Sequence, residues 1–365
     1  MLKYAQYICK MSVNLTQKNR SNKIIATWIF IGVAMIIVQV LIGGITRLSG
    51  SGLSITEWKP IMGFLPPMNE IQWQQAFTKY QQIAQYKYIN NHFAISDFKF
   101  IFFWEWFHRL WARLIAVAFA IPFIYFIIKK HIKKEMVNPL IILVLLGALE
   151  GAIGWIMVKS GLNDENLYVN HIKLSVHFIF AMLIISYAVI FGLSLLVKEE
   201  QKVVSLSLKK FTILLISLLA IQLIYGAFMA GLKAANAAPT WPLINGMLVP
   251  NLFEIGFLEG LFFNRISIHF IHRTLAYFIF IITIFWWLKA KQNATSNCFN
   301  AAKNYPLILV ISQVFLGILS VLLSPKIVLG NFGIFEWMAL LHQLVGMLLL
   351  LSLIANLYLI KTKNT

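Results

Sequence analysis

Apolar residues run in long stretches separated by short polar segments, at 24–44, 100–128, 138–158, 171–197, 211–231, 266–288, 305–323 and 335–360. About 20 residues of helix cross the hydrocarbon core, and backbone polar groups in lipid must be satisfied within the segment. Each stretch therefore predicts a membrane-crossing helix. The expected fold is an all-α polytopic membrane protein with eight transmembrane helices. One long connection, 45–99, is rich in Trp, Gln and Tyr, and the pattern from Asn69 to Gln82 within it predicts an interfacial amphipathic helix rather than an irregular loop.

Composition agrees with the pattern. Hydrophobic residues make up 59% of the chain, charged residues 12%, and mean hydropathy is +0.77, whereas a soluble domain carries about 25% charged residues. The net charge of +18 would suit nucleic acid, but the charges lie in loops between apolar runs. The positive-inside rule accounts for them, and nucleic-acid binding is set aside. Of 31 basic residues, 18 fall in the two tails and the loops that follow even-numbered spans, so both termini are expected to be cytoplasmic. The first 23 residues lack an apolar signal region, and Cys9 and Cys298, in separate segments, give no disulfide framework.

The chain repeats itself. Gln39-x-x-x-Gly43 of helix 1 matches Gln222-x-x-x-Gly226 of helix 5, and Glu57-Trp58 matches Thr240-Trp241, both at an offset of 183. His108-Arg109-x-x-Ala112 matches His272-Arg273-x-x-Ala276 at 164, Gly147-x-x-x-Gly151 matches Gln313-x-x-x-Gly317 at 166, and His177 matches His342 at 165. Two four-helix bundles related as a parallel repeat are implied: 24–197, including the loop 45–99, and 211–360. A tail at 1–23, a linker at 198–210 and a tail at 361–365 complete the division, all three cytoplasmic. The small-xxx-small glycines are expected to serve helix packing.

Ionisable groups inside a span are costly and usually mark function. Six of the eight histidines, His108, His171, His177, His269, His272 and His342, fall in the first turns of even-numbered helices, at similar depth toward the outer side. Paired imidazoles from facing helices, His108 with His177 and His272 with His342, suit the two axial positions of a haem iron. His171 and His269 are expected nearer the surface, and His92 and His131 solvated. The chain holds 25 lysines and six arginines, yet Arg47, Arg109, Arg113, Arg265 and Arg273 cluster at outer helix ends. Guanidinium groups there suit carboxylates such as haem propionates, the alternative being helix-end packing. Glu105 stands three residues before His108, on the same helical face, where the second half has His269. It reads either as a catalytic acid beside one haem or as a structural partner of Arg109 or Arg113. Glu150, in helix 3, is a second intramembrane acid and a candidate for a proton path.

These residues resemble the haem A synthase family, in the alphaproteobacterial and mitochondrial form without the outer-loop cysteine pair. The similarity runs from about residue 24 to 360, through Gly43-Gly44-x-Thr46-Arg47-Leu48-Ser49-Gly50, Glu57-Trp58-x-Pro60, Glu105-Trp106-x-His108-Arg109, Gly154-Trp155-x-Met157-Val158-Lys159-Ser160-Gly161, Thr240-Trp241-Pro242, His272-Arg273 and His342-Gln343. The resemblance implies oxidation of the C8 methyl of haem O to the formyl of haem A, for cytochrome oxidase. It implies His108 and His177 as ligands of the substrate haem and Glu105 as the catalytic glutamate. It further implies His272 and His342 as ligands of a haem b cofactor, with Arg109, Arg273, Arg113 and Arg47 as propionate partners. The family often has glutamine where Glu150 stands. The expected setting is a bacterial cytoplasmic membrane with the haem sites toward its outer side. An electron donor or acceptor is required, and haem O synthase and oxidase assembly factors are candidate partners. On the residues alone, a dihaem b-type electron-transfer protein oxidising quinol and a haem carrier remain alternatives, and the carrier leaves Glu105 unexplained.

Overall fold

The computed structural model describes residues 2–57, 62–252, 256–327 and 332–362, with side chains from Arg20 onward. Eight helices are long and apolar enough to cross a membrane: α1 (Leu2–Leu48), α2 (Ile95–Ile128), α3 (Lys134–Lys159), α4 (His171–Leu196), α5 (Leu206–Gly231), α6 (Arg265–Gln292), α7 (Tyr305–Leu323) and α8 (Ile334–Tyr358). The amino-terminal tail, expected as a polar segment apart from the first span, continues α1 as helix back to Leu2. The side chain of Cys9 lies outside the described residues, as do the Trp58 to Pro60 part of the repeated motif and residues 363–365 of the closing tail.

The amino-terminal ends of the even-numbered helices are fixed by local chemistry. Asn170 accepts from the backbone N–H groups of Ile172 and Lys173, and Asn264 from those of Ile266 and Ser267. Asp97 and Glu336 reach back to the N–H groups of Ala94 and Gly333. Each satisfies N–H groups that the first helical turn leaves unpaired, so the start of every histidine-bearing helix is pinned.

Helix α1 packs against α2 and α4, and α3 against α4; α5 packs against α6 and α8, and α7 against α8 and α6. Contacts between these sets run through α4–α5, α1–α8 and α4–α8. The main core draws on Ile25 and Trp28 of α1, Ile185 of α4, Leu208 and Leu215 of α5, and Met347 and Leu353 of α8. Apolar side chains along α2 and α3, such as Ile121, Ile124, Leu145 and Leu149, remain exposed, as lipid-facing positions require. The linker and the carboxy-terminal end pair as two short parallel strands, β1 (Val203–Val204) and β2 (Ile360–Lys361).

In the long outer connection, Glu70–Tyr80 forms the expected helix, with Asn69 as its cap. Phe77, Tyr80 and Ile83 close over Phe98, Ile101 and Phe102 of α2, making a second small core. Burial pushes the Tyr80 hydroxyl up to about 12, against a hydrogen bond from Asn90, with the Glu105 charge a lesser contribution in the same direction. At the exit from α1, Gly50 adopts a left-handed φ of 71°, and 183 residues later Lys233 adopts 50°. The backbone turn is thus the same in the two places despite the change of residue.

Candidate functional site

Each of the four repeated histidines lies against a glycine of the neighbouring odd-numbered helix. A Cβ built on Gly43 would come 3.0 Å from His108 Nε2, one on Gly154 3.0 Å from His177 Cε1, one on Gly226 3.3 Å from His272 Cε1, and one on Gly317 3.0 Å from His342 Cε1. Side chains at these positions would crowd the imidazoles. The glycines therefore make room for histidine rather than bringing two helix backbones together. For helix α3 this corrects the repeat: Gly147 and Gly151 are exposed with nothing within 4 Å of a built Cβ, and Gly154 takes the place of Gly317. Glycine spacing alone cannot separate registers that differ by three residues. We expect Gly317→Ala to displace the His342 ring and lower the haem-to-protein ratio of the purified protein several-fold, while Gly147→Ala leaves it unchanged.

Four residues before each glycine stands a polar side chain turned to the same histidine. Gln39 Nε2 donates to the His108 carbonyl at 3.2 Å, and Gln222 Nε2 to the His272 carbonyl at 3.0 Å. Gln313 Nε2 lies 3.3 Å from His342 Nε2, whose Nδ1 is 3.1 Å from the Gln313 carbonyl. A Nδ1–H donated to that carbonyl leaves the Nε2 lone pair available to a metal. In the fourth place Glu150 Oε1 lies 3.0 Å from His177 Nδ1. The Oε1 atoms of Gln39, Gln222 and Gln313 are buried without a partner among the described residues.

The rings of His272 and His342 meet edge to face, with centres 6.3 Å apart and planes at 73°. Metal–imidazole bonds of about 2.0–2.1 Å to two opposed rings place their centres roughly 6 Å apart, so this pair fits an iron held between them. His108 and His177 stand on the neighbouring even-numbered helices α2 and α4, each against the glycine of the odd-numbered helix beside it. No cluster of three or more His, Cys, Asp or Glu side chains that could hold a metal ion occurs among the described residues.

Glu105 is 3% exposed and fully engaged. Its Oε2 accepts from Ser54 Oγ at 2.7 Å and from the Ile55 N–H at 2.8 Å, and its Oε1 from Arg109 Nη2 at 2.5 Å. Arg109 also donates to the carbonyls of Ile55 and Glu57, at 3.1 and 3.3 Å. Arg273 repeats this 183 residues further along the loop: it donates to the carbonyls of Ala238 and Thr240, both at 2.7 Å. Both arginines thus clamp the loop that leaves the preceding odd helix, a use of guanidinium that the sequence pattern did not reveal. Arg47 lies in the last turn of α1, and Arg113 lies one turn beyond Arg109 on α2.

His171 and His269, expected nearer the surface, are 7% and 0% exposed. His171 Nε2 is 2.8 Å from the Phe262 carbonyl, and its Cβ meets Gly231 of α5, so it ties α4 to the carboxy-terminal set of helices. His269 Nε2 lies 3.5 Å from both the Ala235 carbonyl and Arg273 Nη2, in the position Glu105 holds beside Arg109. His131, expected to be solvated, is half-buried at 3.2 Å from Ser21 Oγ, while His92 is exposed.

The family described as cytochrome oxidase assembly protein, COX15-CtaA, matches residues 26–354. A protein of Flavobacterium psychrophilum named heme A synthase is 36% identical over 341 residues, covering 91% of this chain and 96% of the relative. Its namesake in Bartonella tribocorum is 37% identical, covering 93% of each. Another in Nitrosospira multiformis is 38% identical, covering 86% of this chain and 89% of its own. With the family matched from α1 to α8 and relatives aligned along almost their whole length, the chain belongs to the COX15-CtaA family of cytochrome oxidase assembly proteins.

Proposed function

We infer that this multi-pass membrane protein is a haem A synthase, an oxidoreductase that converts the C8 methyl of haem O to the formyl of haem A. The pair His272 and His342, with its counterpart at His108 and His177, carries this reading. Haem O is held by His108 and His177 in the amino-terminal half, and haem b by His272 and His342 in the carboxy-terminal half. Haem b supplies one-electron redox chemistry when bound. Both termini lie on the cytoplasmic side and both haem sites toward the outer side.

The substrate methyl passes through an alcohol to a gem-diol, which loses water to give the aldehyde. In net terms R–CH3 plus H2O gives R–CHO with four protons and four electrons, whatever reagent delivers the oxygen. The chain's own residues orient the methyl and exclude water around it. Glu105, one turn from His108, takes up a proton or stabilises positive charge developing at the methyl carbon. Ser54, the Ile55 N–H and Arg109 keep its carboxylate from swinging away. Arg109 and Arg273 hold the loops that follow α1 and α5 over the two sites; Arg273, which donates to neutral carbonyls, keeps its charge for a propionate, whereas Arg109 shares its charge with Glu105 and joins Arg113 and Arg47 as further propionate partners. Haem O synthase and oxidase assembly factors are the candidate neighbours in the membrane.

Extracting the haems from purified protein and separating them chromatographically tests this function. Haem b together with haem O or haem A is the expected result. Haem b alone, with a bound quinone, would replace the synthase by a dihaem electron-transfer protein.

A further inference from the structure

Four odd-numbered helices present the same device to four histidines, and one copy differs. Gln39-x-x-x-Gly43, Gln222-x-x-x-Gly226 and Gln313-x-x-x-Gly317 carry an amide, and Glu150-x-x-x-Gly154 carries an acid. Each amide can donate, and two of them reach a histidine carbonyl while the third reaches an imidazole nitrogen. A carboxylate can only accept. Glu150 Oε1 stands 3.0 Å from His177 Nδ1, within ion-pair distance but out of line for a hydrogen bond, so that Nδ1 and Glu150 Oε2 are both buried without a hydrogen-bond partner among the described residues. No lysine or arginine among the described residues pairs with it, and a carboxylate placed in a span without a cation is a costly substitution for an amide. His177 is the one ionisable group it meets at ion-pair distance.

We propose that Glu150 is a positioning residue for His177, accepting the Nδ1–H of that imidazole and so making its Nε2 a stronger electron donor than the Nε2 of the other three histidines. This rests on reading His108 and His177 as one iron-binding pair. A carboxylate behind a metal-bound imidazole fixes the ring and raises its basicity, and hydrogen bonding behind an axial ligand is one of the ways a protein sets a haem potential. His342 has only a peptide carbonyl at its Nδ1. The amino-terminal iron is therefore the harder of the two to reduce, and the two halves differ in potential although their helices repeat.

The test uses the full-length chain in detergent, loaded with haemin, and an optical redox titration of both centres. Glu150→Gln restores the residue found in the other three copies, so the low-spin spectrum should persist. The reduction equilibrium of one centre should shift about tenfold toward the ferrous form, about 59 mV for one electron. Glu150→Asp should retain part of the wild-type potential, and the other centre should keep its potential in both variants. Unchanged potentials in Glu150→Gln, with His177→Ala still removing one low-spin centre, would overturn the proposal and leave the ligand pair standing. Loss of haem from Glu150→Gln would also overturn it, because the acid would then serve retention rather than donor strength. If His177→Ala leaves both centres intact, the ligand pair itself falls, and the proposal with it.

Discussion

Replacing His272 or His342 with alanine is expected to remove the low-spin haem b spectrum and most of the haem from the carboxy-terminal half. The two rings stand 6.3 Å apart with Gly226 and Gly317 behind them, so neither can move to cover for the other. Loss of a residue that merely orients a metal ligand costs about 10–100-fold in affinity or activity. Loss of one of two iron bonds should exceed that. The pyridine haemochrome content and the reduced-minus-oxidised spectrum measure the effect. A normal low-spin spectrum in either variant would remove the pair from consideration as ligands. The amino-terminal site, built on other helices, should keep its own haem, since mutations at separated sites without shared partners act independently.

The second large effect is expected at Glu105. A positioned acid or base contributes about 10²–10⁴-fold to a proton-transfer step, so Glu105→Gln should lower haem A output at least about a hundredfold with both haem sites still filled. Glutamine keeps a carbonyl oxygen for Ser54 and the Ile55 N–H but turns its amide N–H2 toward the Arg109 guanidinium, so it removes the chemical role together with one loop contact. Ser54→Ala supplies the comparison. It deletes one hydrogen bond worth about 1 kcal/mol, and haem A output should fall about fivefold at most. Wild-type haem A levels in Glu105→Gln would reduce Glu105 to a loop anchor, and an equal loss in both variants would assign the whole effect to the loop.

The membrane architecture was legible because a bilayer admits so few solutions. An apolar run of sufficient length must be helix, and the spans at 305–323 and 211–231 end where the hydropathy pattern ends them. The matching positions of His108, His177, His272 and His342 were legible because a repeat marks position independently of neighbours. The role of Glu150 was not. Its correspondence with Gln313 depends on which of the α3 glycines meets an imidazole, and Gly147, Gly151 and Gly154 offer several near-equivalent registers. The arginine clamps were hidden for another reason: their partners are carbonyl oxygens, which every residue possesses and no side-chain motif reports. Likewise, His171 and His269 sit near helix starts, where depth in sequence suggests exposure, and only the loops folded over them bury them.

The clamps have a consequence for how such a duplicated protein can diverge. Arg109 grips Ile55 and Glu57, and Arg273 grips Ala238 and Thr240, in each case by the peptide backbone. The segments Ile55-Thr56-Glu57 and Ala238-Pro239-Thr240 differ at every aligned position. A fastening indifferent to side chains lets each of these segments be rewritten independently of the other without the hinge points moving. Exchanging the two tripeptides between the halves should therefore alter which porphyrin each half prefers while leaving both loops seated.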